Sequence, residues 1–268
     1  MSRTARAMID HPISLASGVL PEFDVIAVAG AAVAAGFDAA GLWIEPDRWT
    51  PRHTSDVRAA LAGLPVLDVE VIWIKPGPSN TDHLRILDIG VDLGAANALV
   101  VSSDPDMGAT AAKFRELCEH AAPAGLRVAL EFGLFTDVKN LDAALGILER
   151  VNHPSSALLI DTLHLSRSGG TAKDVSRVPK RLLSYTQICD AGPNAPSRDD
   201  AAGIISEAVD GRLLCGEGIL PLHEVLELLP ERQPLSVELR SRALRDAYPD
   251  ARERAKALAR STRGFLAA

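Results

Sequence analysis

Aromatic side chains are scarce in this sequence, at 4% of 268 residues, and basic residues are outnumbered 28 to 35 by acidic ones, for a formal net charge of −7. A protein that grips duplex nucleic acid needs a basic face, and one that reads single strands needs stacking rings. The charges here are scattered and the rings few, so no nucleic-acid partner is expected. Cysteine is nearly missing: Cys118, Cys189 and Cys215 are odd in number and far apart, which reads as reduced thiols and not as a disulfide frame. No apolar run approaches the roughly 20 residues that cross a bilayer. The amino-terminal MSRTARAMIDHP lacks the apolar centre of a signal peptide. A cytoplasmic protein with no membrane partner is the expectation. No G-x-G-x-x-G follows the first apolar run, so a dinucleotide site has no support.

What the chain does have is a 47% hydrophobic composition, enough to bury a large α/β core. Short apolar runs read as eight strands: Ile13 to Leu15, Phe37 to Ile44, Leu64 to Ile74, Ala98 to Val101, Arg127 to Phe132, Ala157 to Asp161, Leu183 to Cys189 and Leu235 to Arg240. Helical periodicity fills most of the intervals, over Glu22 to Ala35, Thr81 to Leu93, Ala109 to Ala124, Leu141 to Val151, Pro221 to Leu229 and Ala251 to Leu266. Strands alternating with helices over a length near 250 residues predict a single-domain (β/α)8 barrel spanning 1–268. A doubly wound open sheet is the second choice. Ala191 to Gly211, with GPNAPSRDD, reads as a long polar loop, and loops of that length are usually functional or mobile.

The second half repeats one feature. Glu131 lies at the end of VALEF, Asp161 ends ALLID, Gln187 sits in SYTQICD and Glu238 in LSVELR. Each is at or near the carboxyl end of a strand, and in a barrel these ends converge on the rim where active sites are built. Asp161 alone reads equally as a cap for the next turn or as a ligand. With Glu131, Gln187 and Glu238 it becomes one of four oxygen donors. Three carboxylates brought together raise one another's pKa unless a cation holds them, so the set implies a divalent metal. Hard oxygen donors favour Mn²⁺ or Mg²⁺. His164, one helical turn beyond Asp161 in a short polar loop, is a candidate to orient a substrate hydroxyl. Arg212 is a candidate bidentate clamp for a carboxylate or phosphate. Glu70 is a candidate substrate contact or a partner of Lys75. Arg167 and Arg240 are weaker instances of the Arg212 argument. Cys189 and Cys215 read as packing residues.

Glu131 in LEF, Asp161 with His164 in DTLH, QICDA at 187–191, GEG at 216–218 and Glu238 in SVE resemble, as an ordered set across nearly the whole chain, the xylose isomerase-like barrel superfamily. The closer resemblance is to its sugar phosphate isomerase/epimerase branch. That resemblance implies a Glu–Asp–His–Glu metal set, carried here by Glu131, Asp161, Gln187 and Glu238, with Glu131 and Glu238 as the catalytic acid/base pair. Gln187 departs from the family's histidine. Members resembling 3-dehydroshikimate dehydratase also carry Gln there, which raises the standing of lyase chemistry. The DNA-repair endonuclease branch needs a histidine-rich site, whereas the third strand here carries Asp68 and Glu70. The implied function is a metal-dependent isomerase or epimerase of a small hydroxylated keto compound. The alternatives are a dehydratase of a cyclic keto-acid or inosose, and a non-catalytic polyol-binding barrel. Relatives are often dimers or tetramers, so a homo-oligomer is a further expectation.

Overall fold

The computed structural model describes residues 11–268, so most of the stretch read above for a signal peptide lies outside the described residues. The chain alternates β1 (Ile13–Leu15), α1 (Val25–Ala35), β2 (Ala39–Trp43), α2 (Pro51–Leu61), β3 (Val66–Ile74), α3 (Thr81–Leu93), β4 (Asn97–Ser102), α4 (Met107–Ala121), β5 (Arg127–Glu131), α5 (Leu141–Val151) and β6 (Ser156–Asp161). It continues with α6 (Thr162–Arg167), α7 (Ala172–Val175), β7 (Leu183–Ile188), α8 (Ala201–Asp210), α9 (Leu222–Leu228), β8 (Leu235–Val237), α10 (Arg242–Ala247) and α11 (Ala251–Leu266). Each strand pairs in parallel with the next, and β8 pairs with β1, closing an eight-stranded barrel. No helix among the described residues is long and apolar enough to cross a membrane.

Strand alternation sorts the side chains. On β6, Leu158 and Ile160 point outward into the main core under the helices, while Ala157 and Leu159 point inward. The inner cluster is thin, with Ala39, Leu67, Leu99, Val101, Ala129, Ala157, Leu159 and Tyr185. Above it the same inward positions turn acidic, which converts a packed barrel core into a polar mouth. Asp24, Thr50, Asn80, Asp106 and Asn140 cap the helices that follow β1 to β5, each accepting a backbone N–H with its side chain. These caps fix where each helix leaves its loop, and so where the strand ends sit.

Two expectations need correction. The segment 191–211 is not loop throughout, because α8 fills its second half. Asp200 caps that helix through Gly203 N, and Ile204 and Ala208 are its buried residues. Two buried positions one turn apart give too weak a period to stand out behind GPNAPSRDD. The segment after Asp161 is likewise helical, as α6, with Asp161 as its N-cap. At the far end of the chain α11 packs against α1. There Arg254, 1% exposed, donates to Glu22 Oε1 at 2.5 Å, Val19 O at 3.2 Å and Tyr248 O at 2.8 Å.

Candidate active site

Glu131 is the last residue of β5 and Asp161 the last of β6. Asp161 stands in register with Gln187 on β7, and Gln187 with Ser236 on β8. Glu238, two residues beyond Ser236, anchors its N–H on Ile188 O at 3.1 Å. Strand parity therefore brings Glu131, Asp161, Gln187 and Glu238 to one end of the barrel, all buried. Asp161 is fully buried and does more than cap the next turn. Its Oδ1 accepts His164 N at 3.0 Å, and its Oδ2 accepts Arg212 Nη1 at 2.6 Å.

Arg212 is the central cation. Its guanidinium, 2% exposed, lies 3.5 Å from Glu238 Oε2 and 3.4 Å from His164 Nε2. Its Nε donates to Ala208 O at 2.8 Å and its Nη1 to Cys189 Sγ at 3.3 Å. An arginine donates only, so His164 Nε2 accepts and the ring proton sits on Nδ1. Burial pushes His164 down to about 4, which keeps the ring neutral as that bond requires. Burial, the largest influence, disfavours charge on Asp161 as well, but Arg212 and His164 together, through charge and hydrogen bonds, hold the carboxyl below its ordinary value. The reverse holds for the catalytic candidates. Burial, then Glu238 and Asp161, push Glu131 well above the usual carboxylate range. Burial lifts Glu238 to about 7, against the pull of Arg212. One carboxyl is thus held ionised and two others are poised to carry protons.

A deeper acidic pair lies on β3. Glu70 accepts a hydrogen bond from the Ser17 hydroxyl, and burial raises its pKa although Ser17 and Arg240 oppose the shift. Lys75 is not its partner: that ammonium lies over the Trp73 ring, 6.0 Å from its centroid. Asp68, 1% exposed, is driven well above the normal range by burial, Glu70 and Glu238. Gly41 faces it, and a Cβ there would come within 2.9 Å of Asp68 Oδ1. Arg167 is spent elsewhere, gripping Glu207 at 2.7–3.1 Å and Gly192 O at 2.8 Å; it does not line the cavity.

That cavity, of about 280 Å³, is lined by Glu70, Glu131, His164, Arg212, Glu238 and Arg240 on its polar side. Its apolar wall includes Trp43, Trp73 and Phe135, with Phe135 tilted onto the His164 ring at 4.7 Å and edge-on to Trp73 at 6.2 Å. Trp43 and Trp73 are 47% and 36% exposed at this cavity. Sequence reasoning passed over both because they sit in strands that read as core. A larger open hollow, of about 810 Å³, lies beside α3 and α4 and contains none of the barrel carboxyls.

The residues fit a divalent cation. Donor atoms of Glu131, Asp161 and His164 lie within 4.8 Å of one another, and Gln187 Oε1 is buried without a hydrogen-bond partner. An orphaned amide oxygen beside carboxylates is a donor in want of a cation. His164 stands within that group, but with Nε2 taken by Arg212 and the proton on Nδ1 its ring supports the oxygen donors from beside them and is not itself a ligand in this arrangement. Arg212 shares oxygens of Asp161 and Glu238 with any such ion.

Solved structures share this fold. The barrel superposes with a TM-score of 0.79 on a crystal structure of an IolI protein with bound zinc, at 16% identity, covering 96% of this chain and 98% of that one. With the probable 3-DHS dehydratase AsbF from Bacillus anthracis the TM-score is 0.66 and the identity 16%, covering 92% and 97%. With a xylose isomerase-like TIM barrel/4-hydroxyphenylpyruvate dioxygenase fusion protein it is 0.77 at 21%, covering 94% of this chain but 42% of that longer one. None of the curated proteins has a sequence that matches this one. The model of one family, however, matches residues 29–264, and with the closed barrel and its acidic carboxyl-terminal rim it establishes that the chain belongs to the xylose isomerase-like TIM-barrel family.

Proposed function

We propose that the chain is a divalent-metal-dependent isomerase or epimerase acting on a small hydroxylated keto compound. The observation that carries this reading is the pair Glu131 and Glu238, two buried carboxyls of raised proton affinity facing one cavity of about 280 Å³. Such groups exchange protons with carbon near neutral pH. Glu131, Asp161, Gln187 and Glu238 would hold the metal, with His164 beside them, and Mn²⁺ or Mg²⁺ suits a mainly oxygen set. When bound, the ion polarises the substrate carbonyl and steadies negative charge on its oxygen.

The chain's own residues do the rest. The ionised member of the Glu131/Glu238 pair takes the proton from the carbon next to the carbonyl. The protonated member returns one. Delivery to the opposite face of the same carbon gives an epimer, and delivery to the former carbonyl carbon, with a proton shift between the oxygens, gives the aldose–ketose isomer. Glu70 and His164 line the cavity and orient substrate hydroxyls. Trp43, Trp73 and Phe135 cover the reacting carbons and keep water off them.

A second reading, a dehydratase, rests on Gln187, which stands where the family's histidine is expected and where members resembling 3-dehydroshikimate dehydratase also carry Gln. There the protonated carboxyl hands its proton to a β-hydroxyl, which departs as water while a carbon–carbon double bond forms. One experiment separates these. The Mn²⁺- or Mg²⁺-loaded protein is incubated in D₂O with ketoses, inososes and 3-dehydroshikimate and followed by NMR. Deuterium entering an intact skeleton supports isomerisation, and a new alkene signal supports dehydration. A protein that binds no metal and exchanges no proton sinks both.

A further inference from the structure

Arg240 is the uncommitted cation of the barrel mouth. It lies two residues past Glu238, and its carbonyl accepts Arg212 N at 3.2 Å, so the backbone that presents it also braces Arg212. Other buried or half-buried arginines have their heads occupied: Arg212 by Asp161, Arg167 by Glu207 and Arg254 by Glu22. The Arg240 side chain makes no hydrogen bond or ion pair among the described residues, and its Nε is buried without a partner. The charges of Glu70 and Glu238 feel it without touching it. A buried donor with nothing to donate to costs free energy and needs an explanation.

The stem, in contrast, is held. A Cβ at Gly18 would come within 3.0 Å of Arg240 Cδ, so the aliphatic part lies against bare backbone and a larger residue at 18 would push it away. The head lines the cavity of about 280 Å³ and also a neighbouring hollow of about 430 Å³. Trp43, Glu70 and Glu238 are common to both. A guanidinium with a fixed stem and free donors, placed where two hollows meet and flanked by an exposed tryptophan, is a preorganised receptor for an anion.

The geometry points to Arg240 as the anchor for a single carboxylate on the substrate. The substrate is therefore a small polyhydroxylated carbonyl compound that is also an acid, with its hydroxylated part toward Glu131 and Glu238 and its acid group at the junction of the two hollows. This rests on the metal-dependent reading for what happens at the far end, but the anchor stands on Arg240 itself. A carboxylate is favoured over a phosphate because only one of the two guanidiniums lining the smaller cavity is free, and Glu70, Glu131 and Glu238 line that cavity with it. One negative charge finds a bidentate partner and a second finds none.

Three ligands that differ only at one carbon test this: D-glucose, D-glucuronate and D-glucose 6-phosphate. Each is titrated by calorimetry into the Mn²⁺-loaded wild type, Arg240→Gln and Arg240→Lys, with bound metal measured in parallel. The expected result is glucuronate binding at least tenfold tighter than glucose and tighter than the phosphate. Arg240→Gln should erase that preference and leave glucose binding and metal content unchanged, while Arg240→Lys should keep part of it. A preference that survives Arg240→Gln, no preference in the wild type, or tighter binding of the phosphate overturns the assignment. If no metal binds but Arg240 still selects glucuronate, the enzymatic reading fails and the anchor stands.

Discussion

Arg212 carries two loads at once, the charge of Asp161 and the position of His164. Replacing it with methionine keeps the stem volume and strands a buried carboxylate, which costs about 3–5 kcal/mol in comparable cases. Urea unfolding of metal-free Arg212→Met at pH 7.5 should show a loss of that order; a loss under 1 kcal/mol would remove Arg212 as the counter-ion. Glu238 gives the opposite sign. It titrates at about 7 when folded, against 4.5 ordinarily, so the folded state binds its proton more tightly than the unfolded state. That contribution is fully present below about pH 4.5 and is lost as pH rises through about 7, up to about 3 kcal/mol. Metal-free protein should therefore lose stability between pH 5 and 8, and Glu238→Gln should flatten the slope in urea titrations across that range. At this scale the sequence was readable wherever a charge interrupts an apolar strand, as at Glu131, Asp161 and Glu238. It was not readable at Trp43 and Trp73, whose apolar character is the same inside a core or at a rim. Nor did it reveal that Arg212 is a buried partner and Arg240 the free one, since only the neighbours brought by other strands distinguish them.

Among the elements, the segment between α8 and α9 has the most to hold and the least regular structure to hold it with. Asp190, just past β7, ties it down. Its carboxylate accepts from Ala191 N at 2.8 Å, Leu220 N at 2.9 Å and Gly216 N at 3.0 Å, while its backbone exchanges bonds with Leu213 at 2.8 and 2.9 Å. Gly218 is part of the same knot, because a Cβ there would come within 2.4 Å of Asp190 Oδ1. Arg212 and the GEG turn are positioned by this knot. Asp190→Ala should lower stability by about 2–4 kcal/mol, through three backbone donors left without an acceptor, and should speed amide exchange over 211–220 before exchange in the strands. Equal protection of that segment in both proteins would count against the knot. Helices α3, α5 and α11 run over the residues their periodicity predicts, because each has a clear polar face and a cap or stop. Helix α8 was hidden because its buried stripe is two residues long, and α6 because its cap, Asp161, looked like the start of a loop.

For the whole molecule, the barrel mouth gathers five carboxyls around two guanidiniums, so a divalent cation should stabilise the fold as well as supply chemistry. At a concentration 100 times its dissociation constant it adds about 2.7 kcal/mol, which for a chain of this size raises Tm by roughly 5–10 °C. Differential scanning with Mn²⁺ and Mg²⁺, then with chelator, checks this; a Tm indifferent to all three removes the metal from the account. The single-domain barrel was legible because eight apolar runs alternate with helices over a length that suits it. The seam where it closes was not, since nothing in ISL or LSV announces that they pair. That seam has a temporal cost. Ser14 on β1 pairs with Ser236 on β8, and Arg254 in α11 reaches back to Val19 and Glu22. During synthesis at roughly 5–20 residues per second, the first strand waits tens of seconds for the last. Until then the edge of β1 that faces β8 stays open, and this is the interval in which a chaperone has something to hold and an aggregate has something to recruit.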